Sequence, residues 1–545
     1  MNARFFLGID VGTGSARAGL FDRTGRMVGA SSEPIRTFRP AEDFVEQSSD
    51  DIWRACGVAV RGALAEAKVR PEDVAGVGFD ATCSLVLLDE HDRPVTVSPT
   101  GRDEQNVIVW MDHRAEAEAA RINAGGHEVL RYVGGVISPE METPKLAWLA
   151  AHAPESFRRA ARFLDLPDFL AYRATGVDVR SLCTTVCKWT YLAHQGGWQE
   201  GYFRAVGLGA LADEGFRRIG TDVRPMGERQ GTLTAQAAIE LGLAPGTPVG
   251  VSIIDAHAGG LGLVGVALDG RAPSVEDLER RVALIGGTSS CHMAVSREPR
   301  FVPGVWGPYS SAMVPGMWLT EGGQSATGSL IDLTVRSHPR FAELEDEARR
   351  EGSSIYARLE ARLEAMRGSA ASSTLLARDL HVLPDHHGNR SPRADPSLRG
   401  AISGLKLSDS LDHLALVWLA TIQGIAHGTR HILDAMRGAG YSIDVLVACG
   451  GDTKSAVFVR EHADATGCRV VLPAEPEAVL AGAAILGAVA AGEHGSIVDA
   501  MGAMTRAGRV VQPAGGEVAD FHERKHRVFL RMHDDQMAYR STMSG

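Results

Sequence analysis

A short hairpin near the start of the chain limits the folds open to it more than any other segment. Phe5-Phe6-Leu7-Gly8-Ile9-Asp10-Val11 runs into Gly12-Thr13-Gly14 and leaves through Ser15-Ala16-Arg17 to Asp22. Apolar runs on either side of a glycine turn predict two paired strands with a tip that carries little side chain. Backbone N–H groups can converge on an anion at such a tip. With the hydroxyls of Thr13 and Ser15 added, the pattern predicts a phosphate site made of Gly12, Thr13, Gly14 and Ser15. Asp10 ends the first strand, where a carboxylate can hold the hydrated Mg²⁺ of a nucleotide. The same residues also suit a plain surface hairpin with a glycine turn.

A partial echo favours the phosphate reading. Val282-Ala283-Leu284-Ile285 meets Gly286-Gly287-Thr288-Ser289-Ser290 and resumes as an apolar run to Val295. Two such tips on opposite halves of a chain can clamp a triphosphate from two sides. Neither is a P-loop, because Walker A needs a Gly-Lys dipeptide and the chain has none.

The chain has 545 residues, 44% hydrophobic and 23% charged, enough for two substantial domains. Its formal net charge of −11 argues against a nucleic-acid surface, as does the lack of a basic run with interleaved aromatics. No apolar run approaches the roughly 20 residues of a membrane helix, so no membrane partner is expected. The first residues lack the plan of a signal peptide, which makes a cytoplasmic location the expectation. Seven cysteines, odd in number and without a CxxC pair, read as free thiols, with neither a disulfide framework nor a zinc site. Only Lys68, Lys145, Lys188, Lys406, Lys454 and Lys525 are lysine among 56 basic residues, which favours positions that need a compact ammonium.

Strands and helices alternate along the chain, which predicts an α/β protein. A helix is expected from Gln47 to Lys68, begun by Ser48 or Ser49. Two strands are expected around the turn Thr82-Cys83-Ser84. Asp112, His113 and Arg114 follow a buried-looking strand, where open α/β sheets tend to place ligands; the alternative is that Asp112 caps the next helix. Lys145, in the helix start Thr143-Pro144-Lys145, reads as structural. Thr184 to Thr190 reads as extended and carries Lys188, either a buried lysine facing a pocket of sugar hydroxyls or a solvated strand end. Asp255 ends an apolar strand at the junction of the halves, just before a helix of small residues, as a catalytic group or as that helix's N-cap. Gly260 to Gly265 matches GxGxxG but falls inside the expected helix, so it is discounted.

In the second half, 341–367 reads as a charged helical stretch without a site-like signal. The histidines of His381 to Pro392 lack further ligands nearby and read as a polar loop. Val445 to Ser455 reads as a strand, the turn Gly450-Gly451 and a helix start bearing Lys454, a place for a nucleotide to rest.

In this order, Asp10 to Arg17, Pro144-Lys145-Leu146-Ala147-Trp148, Asp255, Gly286 to Ser289, Gly450-Gly451 and Glu477 to Ala484 resemble the FGGY carbohydrate kinases over nearly the whole chain. Thr82-Cys83-Ser84-Leu85-Val86 with Trp110-Met111-Asp112-His113-Arg114 is similar to the ribulokinase branch, in particular its D-ribulokinase group. The resemblance implies two RNase H-like domains of the actin and sugar-kinase ATPase class with a cleft between them. Residues 1–265 would hold mainly the sugar, 266–505 mainly ATP, and 506–545 would form a tail. It implies ATP and Mg²⁺, transfer to D-ribulose, and Asp255 as general base. Thr82, Cys83, Ser84, Asp112, His113, Lys188, Asp255 and Glu321 would face the sugar. Gly12, Thr13, Gly14, Ser15, Arg17, Gly287, Thr288, Ser289, Gln324, Gly450, Gly451 and Lys454 would face the nucleotide, with Asp10 near the metal. Lys454-Ser455 departs from the asparagine that several sugar kinases place near adenosine. Family analogy also implies a homodimer.

L-ribulose, D-xylulose and ribitol are the alternative acceptors. A non-enzymatic actin-like ATPase would leave the polar set Thr82, Asp112, Lys188 and Asp255 without a purpose. A sugar-sensing regulator would need a DNA-binding helix pair or a basic face, and the sequence offers neither.

Overall fold

The computed structural model describes residues 4–369 and 371–544. The first hairpin forms as expected: β1 (Phe5–Val11) and β2 (Ser15–Phe21) pair antiparallel, and β3 (Met27–Pro34) adds to β2. Helix α1 (Ser49–Ala67) starts at its N-cap Ser48, whose hydroxyl accepts the Asp51 N–H. It returns the chain so that β4 (Val74–Ala81) lies parallel to β1. Both strands are buried nearly throughout, as parallel strands covered on two faces must be. Beyond the short helix α2 (Leu182–Lys188), the strands β5 (Arg229–Thr232), β6 (Pro248–Gly250) and β7 (Ile253–Ile254) complete the sheet, and helix α3 (Asp255–Val264) follows at once. The strand order is β5-β6-β4-β1-β2-β3, with β7 also paired to β4.

The second half repeats the plan. β8 (Arg281–Gly286) and β9 (Ser290–Ser296) form the echo hairpin, with β10 (Trp306–Ser310) and β11 (Trp318–Gln324) extending it antiparallel. The long helix α4 (Leu411–Gly438) then leads to β12 (Val445–Gly450), parallel to β8, and to β13 (Arg469–Pro473) parallel to β12. In both sheets an antiparallel hairpin is followed by a strand that returns parallel to its first member.

The two sheets meet through a crossed pair of helices. Helix α5 (Ala478–Ala490), from the second half, packs on β1 and β4 of the first sheet, and α3 packs against both α5 and β8. Glycine makes this approach possible. A Cβ at Gly482 would lie 1.9 Å from the Ala258 carbonyl oxygen, and one at Gly78 would lie 1.9 Å from that of Ala483. Each half therefore covers a sheet of the other, which brings both hairpin tips to one cleft. Among the described residues no helix is long and apolar enough to cross a membrane.

Two expectations change, at Thr184 to Thr190 and at His381 to Pro392. Residues Thr184 to Thr190 are largely helical, within α2, although their β-branched side chains suggest a strand. Ser181 caps the helix by accepting the Cys183 N–H, and the hydroxyls of Thr184 and Thr185 donate back to the Ser181 carbonyl, which satisfies them inside a helix. The helical stretch expected over 341–367 forms as two helices, Phe341–Arg350 and Ile355–Arg367. The loop assigned to His381 to Pro392 begins as a strand, His381–Leu383, paired with Ala401–Ser403. Within the expected tail, β14 (Ala507–Val511) closes the second sheet on β13, and α6 (Glu517–Met543) packs on His381–Leu383.

Candidate active site

At the first tip the Gly12 N–H closes the turn on the Ser15 carbonyl at 3.0 Å, and at the second the Gly287 N–H does the same on Ser289 at 2.9 Å. The backbone oxygens are turned away into protein. Gln47 Nε2 donates to the Thr13 carbonyl at 2.7 Å, and Thr327 Oγ1 donates to that of Gly287 at 2.9 Å. The Thr13 hydroxyl is also engaged, accepting from Trp110 Nε1 at 2.9 Å. The Thr13 and Gly287 carbonyls are thus each held by a protein donor.

Two cavities flank these tips. The smaller, about 230 Å³, is lined by Thr13, Thr82, Cys83, Trp110, Glu140, Lys188, Asp255, His257, Ser289, Cys291, Trp306, Glu321 and Arg390. The larger, about 750 Å³, is lined by Gly287, Thr288, Tyr356, Glu360, Trp418, Gly451, Asp452, Lys454 and Ser455, among others. Gly287 and Thr288 face the larger cavity and the next residue, Ser289, faces the smaller.

Behind Asp255, which lines the smaller cavity, two further carboxylates are buried. Asp10 and Asp80 are direct neighbours across the parallel pair β1–β4, and β7 brings Asp255 to the same edge. Both Asp80 oxygens are buried without a hydrogen-bond donor. Burial, with Asp10 beside it, pushes the Asp80 carboxyl well above its usual range. Burial and Asp10 also raise Asp255, to about 6. Asp255 Oδ1 accepts the Ala256 N–H at 2.6 Å. The N-cap position of α3 belongs to Ile254, so Asp255 is the first helical residue and the capping role is not its own.

The opposite wall is charged and aromatic. Two cations lie over the Trp306 ring, with Lys188 Nζ 5.8 Å and the Arg390 guanidinium 5.5 Å from its centroid. Glu321 Oε2 is 3.2 Å from His257 Nε2. Burial works against the Glu321 charge, but the His257 hydrogen bond and the positive charges of His257, Lys188 and Arg390 hold it down at about 2. Burial likewise opposes the Lys188 charge, and the acidic groups of Cys83, Glu321, Tyr309 and Glu140 outweigh it, so the ammonium is held well above its ordinary range. A compact polyhydroxyl compound would meet fixed donors and acceptors here, with the Asp255 carboxyl among them.

Of the residues expected to face the sugar, Thr82, Cys83, Lys188, Asp255 and Glu321 line this cavity; Ser84, Asp112 and His113 do not. Ser84 is fully buried and accepts the Trp110 N–H at 3.2 Å. Asp112 is also fully buried: Oδ1 accepts from Arg114 Nε at 2.8 Å and Oδ2 from the Val45 N–H at 2.6 Å. It makes no side-chain cap to the helix that follows. His113 points to solvent. Among residues expected around the nucleotide, Gln324 donates to the Ile425 carbonyl and to Thr429 Oγ1, each at 3.1 Å, and braces α4. Arg17 Nε donates to Asp10 Oδ2 at 2.6 Å and Nη1 to Glu477 Oε2 at 3.1 Å, tying β2 to the start of α5. Gly450 has φ +100° and lets β12 pass within reach of the Gly286 backbone; Gly451 and Lys454 line the larger cavity.

Several site residues escaped the sequence reading. Glu140, Trp306 and Arg390 line the smaller cavity, and Asp80 is buried beside Asp10. In the larger one, Tyr356 and Trp418 stack with centroids 6.2 Å apart, and Ser455 Oγ donates to Glu360 Oε1 at 2.8 Å. Tyr356 and Glu360 come from the stretch that carried no site-like signal.

Comparison with known proteins agrees with this geometry. The model of the FGGY N-terminal domain matches residues 5–262 and that of the FGGY C-terminal domain matches 282–491. An FGGY carbohydrate kinase domain-containing protein of Homo sapiens is 48% identical over 545 residues, spanning 99% of this chain and 98% of the relative. A D-ribulokinase of Saccharomyces cerevisiae is 38% identical over 514 residues, spanning 90% of this chain and 72% of the relative. The fold matches a xylulose kinase from Rhodospirillum rubrum with a TM-score of 0.79 at 22% identity, over 98% of this chain and 99% of that one. Family models that together span most of the sequence, a relative at 48% identity and a shared two-domain architecture place this chain in the FGGY family of carbohydrate kinases.

Proposed function

We propose that the protein transfers the γ-phosphoryl group of ATP to the terminal hydroxyl of D-ribulose, giving D-ribulose 5-phosphate. The observation that carries the proposal is the tip Gly287-Thr288-Ser289, whose consecutive residues face the two cavities. A phosphoryl group held at that tip has the nucleotide on one side and the acceptor on the other. The smaller cavity has the volume and the fixed polar groups for one pentulose, and the larger has the stacked Tyr356–Trp418 wall that suits a purine. The similarity to a D-ribulokinase favours D-ribulose among pentuloses.

In this reading Asp255 takes the proton of the attacking hydroxyl. The N–H groups at the tips of both hairpins donate to the phosphate oxygens, so the chain acts by positioning and by stabilising charge. Lys188, Glu321 and Arg390 hold the sugar hydroxyls. Like charges crowd at Asp10, Asp80 and Asp255 without their oxygens converging on one point, so Asp10, beside the first tip, would hold a hydrated divalent cation through its water shell. Mg²⁺ arriving with ATP would supply positive charge to the transferring phosphoryl group.

Lys188→Ala is expected to raise the KM for sugar at least tenfold, roughly the cost of one charged hydrogen bond, with little change in the KM for ATP. Steady-state kinetics in both substrates checks this, and equal effects on the two would remove Lys188 from the acceptor site. Acceptor identity is tested by ADP release with D-ribulose, L-ribulose, D-xylulose, ribitol and glycerol. A site that hydrogen-bonds hydroxyls rejects the wrong isomer because its own polar groups are left unpaired. D-ribulose is expected to give the highest kcat/KM; a clear preference for another compound overturns that assignment and leaves the kinase class in place.

A further inference from the structure

Cys183 and Cys187 stand one turn apart on α2, and His257 on α3 points its ring at them. Their ligand atoms all lie within 4.8 Å of one another, the one such convergence of His, Cys, Asp or Glu among the described residues. Cys183 Sγ is 3.0 Å from His257 Nδ1, and the far ring nitrogen, Nε2, is 3.2 Å from Glu321 Oε2. Cys183, Cys187 and His257 are 0%, 1% and 1% exposed. Two thiols and an imidazole suit a borderline-soft metal, and a carboxylate on the far nitrogen sets the tautomer that leaves Nδ1 free to bind it.

We propose that Cys183 Sγ, Cys187 Sγ and His257 Nδ1 form a site for Zn²⁺ or its larger analogue Cd²⁺, with Glu321 orienting the imidazole and water in the fourth position. Metal–sulfur and metal–nitrogen bonds of about 2.3 and 2.0 Å at tetrahedral angles put sulfur and nitrogen ~3.5 Å apart, so the Cys183–His257 contact opens only slightly. The thiol protons leave to solvent on binding, and the ring keeps its Nε2 proton for Glu321. The metal ties α2, which ends in Lys188, to α3, which begins with Asp255. It braces the acceptor side of the cleft. Neither the Cys-x-x-x-Cys spacing nor the distant histidine announces this set; only the packing of α2 beside β7 and α3 brings it together.

The test is titration of the chelator-treated full-length protein with CdCl₂ and, separately, CoCl₂. Expected are one equivalent of Cd²⁺ bound with a thiolate-to-metal charge-transfer band, a Tm that rises with free Cd²⁺, and intense visible Co²⁺ bands of a tetrahedral site. Cys183→Ser and Cys187→Ser should each abolish the band and the Tm shift, whereas Cys449→Ser should keep both. Should the serine variants fold poorly, the wild-type Co²⁺ spectrum decides alone. A weak octahedral spectrum, no charge-transfer band, or a band that persists in both serine variants overturns the proposal.

Discussion

Asp255→Asn is expected to lower turnover by about 10²–10⁴-fold, the usual contribution of a general base, while ATP and sugar still bind. The amide keeps the size of the carboxylate and an oxygen to accept the Ala256 N–H, but it cannot take a proton. Loss of a helix cap would not explain the result, because Ile254 occupies the cap position of α3. Binding measured by calorimetry, beside single-turnover kinetics, separates the two effects. Near-normal turnover in a folded Asp255→Asn protein would place the base elsewhere.

The second large effect is expected at the two hairpin tips. A Cβ built at Gly12 comes no closer than 3.9 Å to protein, from the Ser15 carbonyl oxygen, and one at Gly287 no closer than 3.8 Å, from that of Ser289. Gly12→Val and Gly287→Val therefore leave folding intact and place their bulk where the phosphates must approach. Each is expected to cut kcat/KM for ATP by about 10²–10³-fold, comparable to losing an oxyanion donor, at unchanged Tm. Wild-type kinetics in both variants would refute the phosphate role of the tips.

The parts legible in the sequence are those encoded locally. Each hairpin tip is a contiguous run, and α1 carries its own cap, Ser48. Asp112 shows where local reading stops. A carboxylate just beyond a strand looks the same whether it faces a ligand or a buried guanidinium; the nearby Arg114, joined to it and to Glu46 by ion pairs, decides the matter. Lys188 lines the smaller cavity although its β-branched neighbours suggest a strand, because where its side chain ends depends on the packing of α2 and not on the local pattern. Asp80 reaches Asp10 only through parallel pairing, Arg390 arrives from a loop, and Tyr356 from a helix with an otherwise ordinary charged surface. No periodicity within those segments marks them.

The account stands on one reaction joining the two cavities, so the most direct measurement follows ADP and phosphorylated sugar together, with ATP, Mg²⁺ and D-ribulose present and each omitted in turn. The account predicts ADP and pentulose phosphate in a 1:1 ratio and negligible ADP without sugar or after chelation of Mg²⁺. ATP hydrolysis at a rate indifferent to every sugar and polyol offered, with no phosphorylated acceptor formed, would contradict it.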